Sequence, residues 1–261
     1  MRITVLGCGG AGGVPLIGPN WGDCDPTEPR NRRRRVSILV DDPAMTDGPL
    51  LVDTSPDLRE QLLDAEVGRI GAVLYTHDHA DHLHGIDDLR GLNRRQKAAI
   101  PVYGAEQTLA SAARRFAYAF DTPVEAGRRW FYKPSLIAHV IRAGEPFQAS
   151  GIAVLPFEQI HGGVTTIGYR FGAAAYSTDV VELSEAAFAA LAGIKLWIVD
   201  CLGYEQYPTH AHLAKTLGWI ERLKPERAVL THMGPELDYR RVLRELPPGV
   251  EPAYDGLVLE L

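Results

Sequence analysis

The sequence predicts an α/β fold in which two β-sheets face one another and helices cover their outer sides. Three observations predict it: short apolar runs of strand type recur from Ile3 to Leu261, residues 136–176 read as strands alone, and the last third alternates helix with strand. Strands, helices, strands and then alternation is the order expected of two sheets with external helices.

Residues 3–6 form the first apolar run and end in GCGGAGG, where Gly7, Gly9 and Gly12 fit the GxGxxG spacing of dinucleotide sites. That spacing binds pyrophosphate only where a helix starts at the glycines. Here Pro15, Pro19, Pro26 and Pro29 follow, and prolines at that density do not propagate a helix. The nucleotide reading is rejected, and the glycines are expected to bring backbone close to a site.

Residues 36–40 and 50–52 read as a hairpin around DDPAMTDGP. Asp53 ends the second strand. A helix follows, capped by Ser55, with Pro56 at its first position and Leu58, Leu62 and Leu63 at helical spacing. A strand at 72–75 leads into YTHDHADHLHG. Residues 83–93 then read as a helix, 101–103 as a strand and 105–120 as a helix with Leu109, Ala113, Phe116 and Phe120 on one side, before proline and glycine break the pattern. Strands are expected at 137–141, 152–157, 166–171 and 174–176. SEAAFAALAG is a capped helix, LWIVDC a buried strand, HLAKTLGWIERL an amphipathic helix, AVLTH a strand, DYRRVLREL a helix and GLVLEL the last strand. With no Ser/Gly linker, repeat or break in composition, residues 1–261 are expected to form one domain.

A hydrophobic content of 46% and a charged content of 23% suit a soluble globular protein. The net charge of -6 argues against a nucleic-acid polymer as partner. Arg32 to Arg35 stand out, either as a solvated stretch or as cations steering a small anionic substrate. Cys8, Cys24 and Cys201 suggest neither a disulfide framework nor a cysteine zinc knuckle, which fits a reducing cytoplasm. Seven residues before Cys8 are too few for a lipoprotein leader, and no run nears the roughly 20 apolar residues of a membrane span. No membrane partner is expected; the oligomeric state is open and compatible with a homodimer.

The segment 77–84 holds four histidines and two aspartates. His77, His79 and Asp81 alternate, so an extended chain aims them one way, and His82 follows where the chain turns helical. One segment can therefore feed two metal positions. Imidazoles and a carboxylate without thiolates suit zinc, manganese or iron, with zinc favoured over manganese at equal sites. A lone histidine here would be a surface bystander, but HxHxDH is a specific ligand pattern. His84, beyond it, takes a supporting or solvent-facing role.

HxHxDH is the signature of the metallo-β-lactamase fold superfamily, and the chain resembles that superfamily along nearly its whole length. Asp53 in LLVDTS, His161 in QIHGG, Asp179 in YSTD and His232 in VLTHMG resemble its other motifs, in order. The resemblance implies a four-layered αββα sandwich of two mixed sheets. It further implies two divalent metal ions per chain, zinc or manganese: His77, His79 and His161 on one, Asp81, His82 and His232 on the other, Asp179 bridging, and Asp53 supporting the histidine loop. Two such ions about 3.5–4 Å apart lower the pKa of a bridging water and clamp attacking and leaving oxygens. The implied reaction is hydrolysis by a metal-bridging hydroxide, with Asp81 and Asp179 in the catalytic centre.

Within the superfamily the chain is most similar to the cyclic ribosyl-phosphate phosphodiesterase of carbon-phosphorus lyase pathways, and more distantly to tRNA 3'-end endonucleases. GCGGAGGVP, YPTHAHL and YDGLVLEL carry this resemblance. It places His210 beside the metals as the catalytic histidine that assists the leaving oxygen, with His212 the alternative; a helix cap is the plainer role for this segment. His139 is expected to be structural. That branch also holds a further zinc through a Cys cluster and a histidine three residues past the last ligand; here only Cys24 and Pro235 stand there, so that zinc is not expected. Trp21 fits either a base-stacking wall or simple packing. The substrate expected is a small phosphodiester, cyclic or nucleotide-like. The alternatives are a thioesterase or lactonase, a tRNA-processing endonuclease, and a non-hydrolytic metal-binding protein; β-lactamase activity is not expected.

Overall fold

The computed structural model of the protein describes residues 1–120 and 132–261. Strands β1 (Arg2–Gly7), β2 (Ser37–Asp41), β3 (Leu50–Val52), β4 (Ala72–Leu74), β5 (Ile100–Gly104) and β6 (Leu136–Val140) line up in chain order in one sheet. Strands β7 (Phe147–Ala149), β8 (Ile152–His161), β9 (Val164–Phe171), β10 (Ala174–Ser177), β11 (Leu196–Asp200), β12 (Arg227–Thr231) and β13 (Val250–Pro252) do the same in a second, and β14 (Val258–Glu260) returns to the first beside β1. Both sheets are mixed: β1, β2 and β3 pair antiparallel and β3 to β6 parallel, while β7 to β10 pair antiparallel and β10 to β13 parallel.

Strand periodicity divides the apolar residues between two cores. Ile38, Val40, Leu50, Val52 and Leu74 point inward, toward the face of the second sheet that carries Tyr169, Phe171, Tyr176, Ile198 and Val229. Their neighbours Leu39, Leu51 and Val73 point outward onto Leu58, Leu62, Leu89 and Leu109. Those leucines lie on helices α1 (Leu58–Asp64), α3 (Leu89–Gln96) and α4 (Glu106–Arg115), with α2 (Ala80–Leu83) and α5 (Ala117–Phe120) between and after them. Helices α6 (Glu185–Leu191), α7 (Leu213–Leu223) and α8 (Tyr239–Glu245) belong to the second half, giving the αββα sandwich. Two bonds join the sheets beneath the histidine segment: the Tyr169 hydroxyl donates to the Tyr75 carbonyl at 2.7 Å and the Ile167 N–H to the Thr76 carbonyl at 3.0 Å.

Several expectations need correction. The first helix begins at Leu58, because the Ser55 hydroxyl accepts from the Asp57 N–H in a turn that precedes it, and Leu63 is exposed. The helix expected over 83–93 is broken. The Gly85 N–H donates to the Thr54 carbonyl at 2.9 Å, an approach that leaves no room for a side chain against Ser55, so α2 stops and α3 restarts at Leu89. The helix over 105–120 is interrupted at Phe116, and Thr108, Leu109, Ser111 and Ala112 are its buried residues. Strands β7 and β13, three residues each at the edges of the second sheet, are too short to show a period. The break expected beyond Phe120 falls largely on residues outside those described. No described helix is long and apolar enough to cross a membrane.

Candidate metal centre

The site lies where strands of both sheets end. Beyond β4 come His77, His79, Asp81 and His82; β8 ends in His161; Asp179 follows β10; Asp200 ends β11; His232 follows β12. Asp53, Asp179 and His232 turn off their strands in the left-handed conformation, with φ of 63°, 52° and 56°. Non-glycine residues rarely adopt it, and such strain collects where function demands a side-chain direction.

Two donor sets meet at Asp179. One donor atom each from His77, His79, His161 and Asp179 lies within 4.8 Å of the others, and the same holds for Asp81, His82, Asp179 and His232. Asp179 Oδ2 faces His77 Nε2 at 3.8 Å and His161 Nε2 at 3.7 Å; its Oδ1 faces His82 Nε2 at 3.0 Å and His232 Nε2 at 3.4 Å. Asp81 Oδ2 approaches His82 Nε2 at 3.2 Å. His77 Nε2, His82 Nε2 and His232 Nε2 are buried without a hydrogen-bond partner. Buried imidazole nitrogens left unpaired cost stability unless something else binds them, and a divalent cation fits this donor set.

On His77, His82 and His161 the other ring nitrogen is held so that Nε2 keeps its lone pair. Thr76 donates from N and Oγ1 to Asp53, both at 2.8 Å, so its hydroxyl accepts from His77 Nδ1 at 3.0 Å. Asp53 Oδ2 accepts from His82 Nδ1 at 2.7 Å, and the Thr209 carbonyl from His161 Nδ1 at 2.7 Å. Asp53 thus steadies two histidines at once.

Electrostatics differ between the two sets. Burial lowers His77 and His161, which favours neutral imidazoles. Burial opposes charge on His232 and His82 too, but Asp179 and the neighbouring carboxylates outweigh it, lifting His232 to about 9 and His82 well above its usual value. Burial would raise Asp179, yet His232 and His82 hold it well below the carboxylate range. A cation bound here would displace those protons.

His210 is buried beside the two sets, its ring centroid 4.6 Å from His161 and 4.5 Å from His232. His212 is half-buried at the start of α7 and joins neither set, and neither Thr209 nor His210 caps that helix. Sequence reasoning missed Asp200, whose Oδ2 accepts from His210 Nδ1 at 3.0 Å and from the Val180 N–H at 2.8 Å. Its signal was an aspartate closing an apolar strand, LWIVD, as Asp53 closes LLVD.

Other expectations sort as follows. Gly10, within the glycine stretch, lies against His232, where an added Cβ would stand 3.4 Å from the ring, while no helix starts at Gly7 to Gly12. The arginine run is neither simply solvated nor free to steer substrate. Buried Arg33 donates to the carbonyls of Gly234 and Leu237 at 3.1 and 2.6 Å, Arg34 to Asp255 and Arg35 to Asp57; only Arg32 is exposed. His84 is exposed and touches Phe116, and His139 stacks on Tyr103.

Residues 49–233 match the family model described as the β-lactamase superfamily domain. An octanoyltransferase of Porphyromonas gingivalis is 31% identical over 98% of this chain, which spans about half (51%) of that relative's length. Among solved structures, a diphosphatase from the PhnP family is 34% identical, with a TM-score of 0.88 over 100% of this chain and 97% of that one. Zn(2+)-bound PqqB from Methylobacterium extorquens (21% identity, TM-score 0.76, 100% of both chains) and the short form of human tRNase Z (18%, 0.68, 100% and 99%) share the fold.

Proposed function

The chain belongs to the β-lactamase superfamily, and from that premise we propose that it is a dinuclear-metal-dependent phosphodiesterase acting on a small phosphodiester. The observation that carries the proposal is the division of Asp179, whose two oxygens each face a separate set of imidazole nitrogens. His77, His79 and His161 would hold one divalent ion, zinc or manganese, and Asp81, His82 and His232 the other, with Asp179 shared. Ions so placed would activate water and neutralise charge on the phosphoryl oxygens.

The protein's own part is to orient and to move a proton. His210 presents Nε2 toward Asp179 Oδ2 at 4.0 Å while Asp200 holds its Nδ1. In that position it donates from Nε2 to the departing oxygen, and Asp200 stabilises the charge on the ring. We take residues 1–261 to act as one domain, since β14 closes the first sheet after the second is complete.

The similarity to an octanoyltransferase raises acyl chemistry as a second reading. Covalent acyl transfer through cysteine needs an accessible thiolate. Cys8, Cys24 and Cys201 are all buried, and burial raises each thiol above its usual range. Metal-assisted thioester or lactone hydrolysis remains the competitor. Protein loaded separately with zinc and with manganese is tested on bis(p-nitrophenyl) phosphate beside a thioester and a lactone. Metal-dependent release from the diester alone is expected; cleavage of the thioester or lactone instead would move the function to the acyl-hydrolase branch.

A further inference from the structure

Three rings flank His210. His232 stacks on it with 4.5 Å between centroids, His161 meets it edge-on at 4.6 Å, and Tyr207 leans over it at 5.9 Å with 38° between the planes. His161 and His232 belong to the two donor sets. Tyr207 belongs to neither, and where those histidines are buried its side chain is 54% exposed.

Packing does not account for Tyr207. It joins neither core, and its hydroxyl has no hydrogen-bond partner among the described residues. Tyr204, three residues earlier, does both: it packs against the inner core and donates to Glu245 at 2.6 Å. The loop that carries Tyr207 is nonetheless tied to the site. At its base the Leu202 N–H donates to the Ala211 carbonyl and the Leu213 N–H to the Gly203 carbonyl, each at 2.9 Å. Two residues past Tyr207, the Thr209 carbonyl accepts from His161 Nδ1 at 2.7 Å.

We propose that Tyr207 is a stacking platform for a planar aromatic group carried by the departing alcohol of the substrate. The inference rests on the phosphodiesterase reading and narrows it. His210 delivers its proton to the departing oxygen, so the group bonded to that oxygen continues past His210, and the exposed ring beside His210 is that of Tyr207. A tyrosine face stacks on a flat partner through offset or tilted contact and gains little from a non-planar one. It selects by shape and not by a pattern of donors and acceptors, which makes it tolerant of the ring's identity. Trp21, the aromatic residue the sequence offers for such a wall, is half-buried and makes no ring contact with these histidines among the described residues.

The test reads binding and turnover separately. Calorimetry on metal-loaded protein compares diphenylphosphinate with dimethylphosphinate, diester analogues whose P–C bonds do not hydrolyse, in the wild type, Tyr207→Ala and Tyr207→Phe. The wild type and Tyr207→Phe are expected to bind diphenylphosphinate about tenfold more tightly than Tyr207→Ala does, and all three to bind dimethylphosphinate alike. Equal losses for both probes in Tyr207→Ala would make Tyr207 a support of its loop and overturn the platform. A loss in Tyr207→Phe as large as in Tyr207→Ala would assign the contact to the hydroxyl and overturn it too, as would the absence of any loss. Turnover of bis(p-nitrophenyl) phosphate by the wild type judges the phosphodiesterase reading on its own, and the binding result decides on Tyr207 whichever way that falls. Where the diester is hydrolysed, Tyr207→Ala should lower kcat/KM about tenfold for methyl phenyl phosphate and leave it unchanged for methyl hexafluoroisopropyl phosphate, whose departing alcohol is of similar acidity but not planar.

Discussion

His210 Nδ1 stands 3.0 Å from Asp200 Oδ2, and the same oxygen accepts from the N–H of Val180, the residue after Asp179. One carboxylate therefore orients the proposed acid and the turn that carries Asp179, the proposed shared ligand. Asp200→Asn should lower phosphodiester turnover about 10- to 100-fold while both metals are retained, since its nearest approach to His232 Nδ1 is 4.0 Å. His210→Ala should likewise keep the metals and lose most turnover. Steady-state kinetics beside metal analysis check both, and a His210→Ala protein with full turnover would remove His210 from the mechanism.

Chelation should destabilise the fold measurably. A ligand present at a hundredfold excess over its Kd adds about 2.7 kcal/mol per site, so zinc is expected to raise the midpoint of thermal unfolding by on the order of 5–10 °C for each site filled in a chain of this size. Asp179→Ala, which takes an oxygen from both sets, should abolish most of that rise. A calorimetric scan with and without chelator gives the answer.

Two glycines should fail in different ways. A Cβ on Gly7 would collide with the Arg35 carbonyl and stand 2.9 Å from the Arg34 carbonyl, so Gly7→Ala is expected to cost about 2 kcal/mol or more. At Gly10 the Cβ would meet Leu202 Cδ1 at 3.3 Å and His232 Cε1 at 3.4 Å, both on side chains with some room to shift. Gly10→Ala should fold, with a loss below about 1 kcal/mol, and retain metal more weakly. Denaturant titration and competition with a metal indicator distinguish the two.

Acid should erase the contribution of one buried carboxylate. Arg30, bonded to Glu28 at 2.7 and 2.8 Å, holds Glu28 at about 2, down from 4.5, despite burial, with Arg240 adding to the effect. A depressed carboxylate stabilises fully above its unfolded value and loses that effect as pH falls through its folded one. Glu28→Gln should therefore melt below the wild type at pH 7, with the gap narrowing under pH 4.5 and nearly closed by pH 2. A gap that stays constant over this range would show that the charge is not what Glu28 contributes.

Much of this site was legible because its residues are contiguous or close strands. His77 to His82 announce themselves by spacing, and His161, Asp179 and His232 each follow an apolar run. Asp200 closes such a run too, but its partner His210 lies across a loop, and nothing in local sequence links them. The arginine run misled for the same reason: Asp57 and Asp255, which neutralise Arg35 and Arg34, lie 22 and 221 residues away. Helix boundaries failed where tertiary contact overrode periodicity, at Gly85 against Ser55 above all. Left-handed turns at Asp53, Asp179 and His232 carry no compositional mark, since the residues there are dictated by what they hold.

The division of donors between the sheets has a practical consequence. His77 and His79 come from the first sheet and His161 from the second; Asp81 and His82 come from the first and His232 from the second, as does Asp179. A chain severed at Gly144, between β6 and β7, would leave neither fragment with a complete set. Recovered hydrolysis on mixing would then register the reassembly of two pieces, making the protein a split reporter whose signal depends on both halves and on the metal proposed to lie between them.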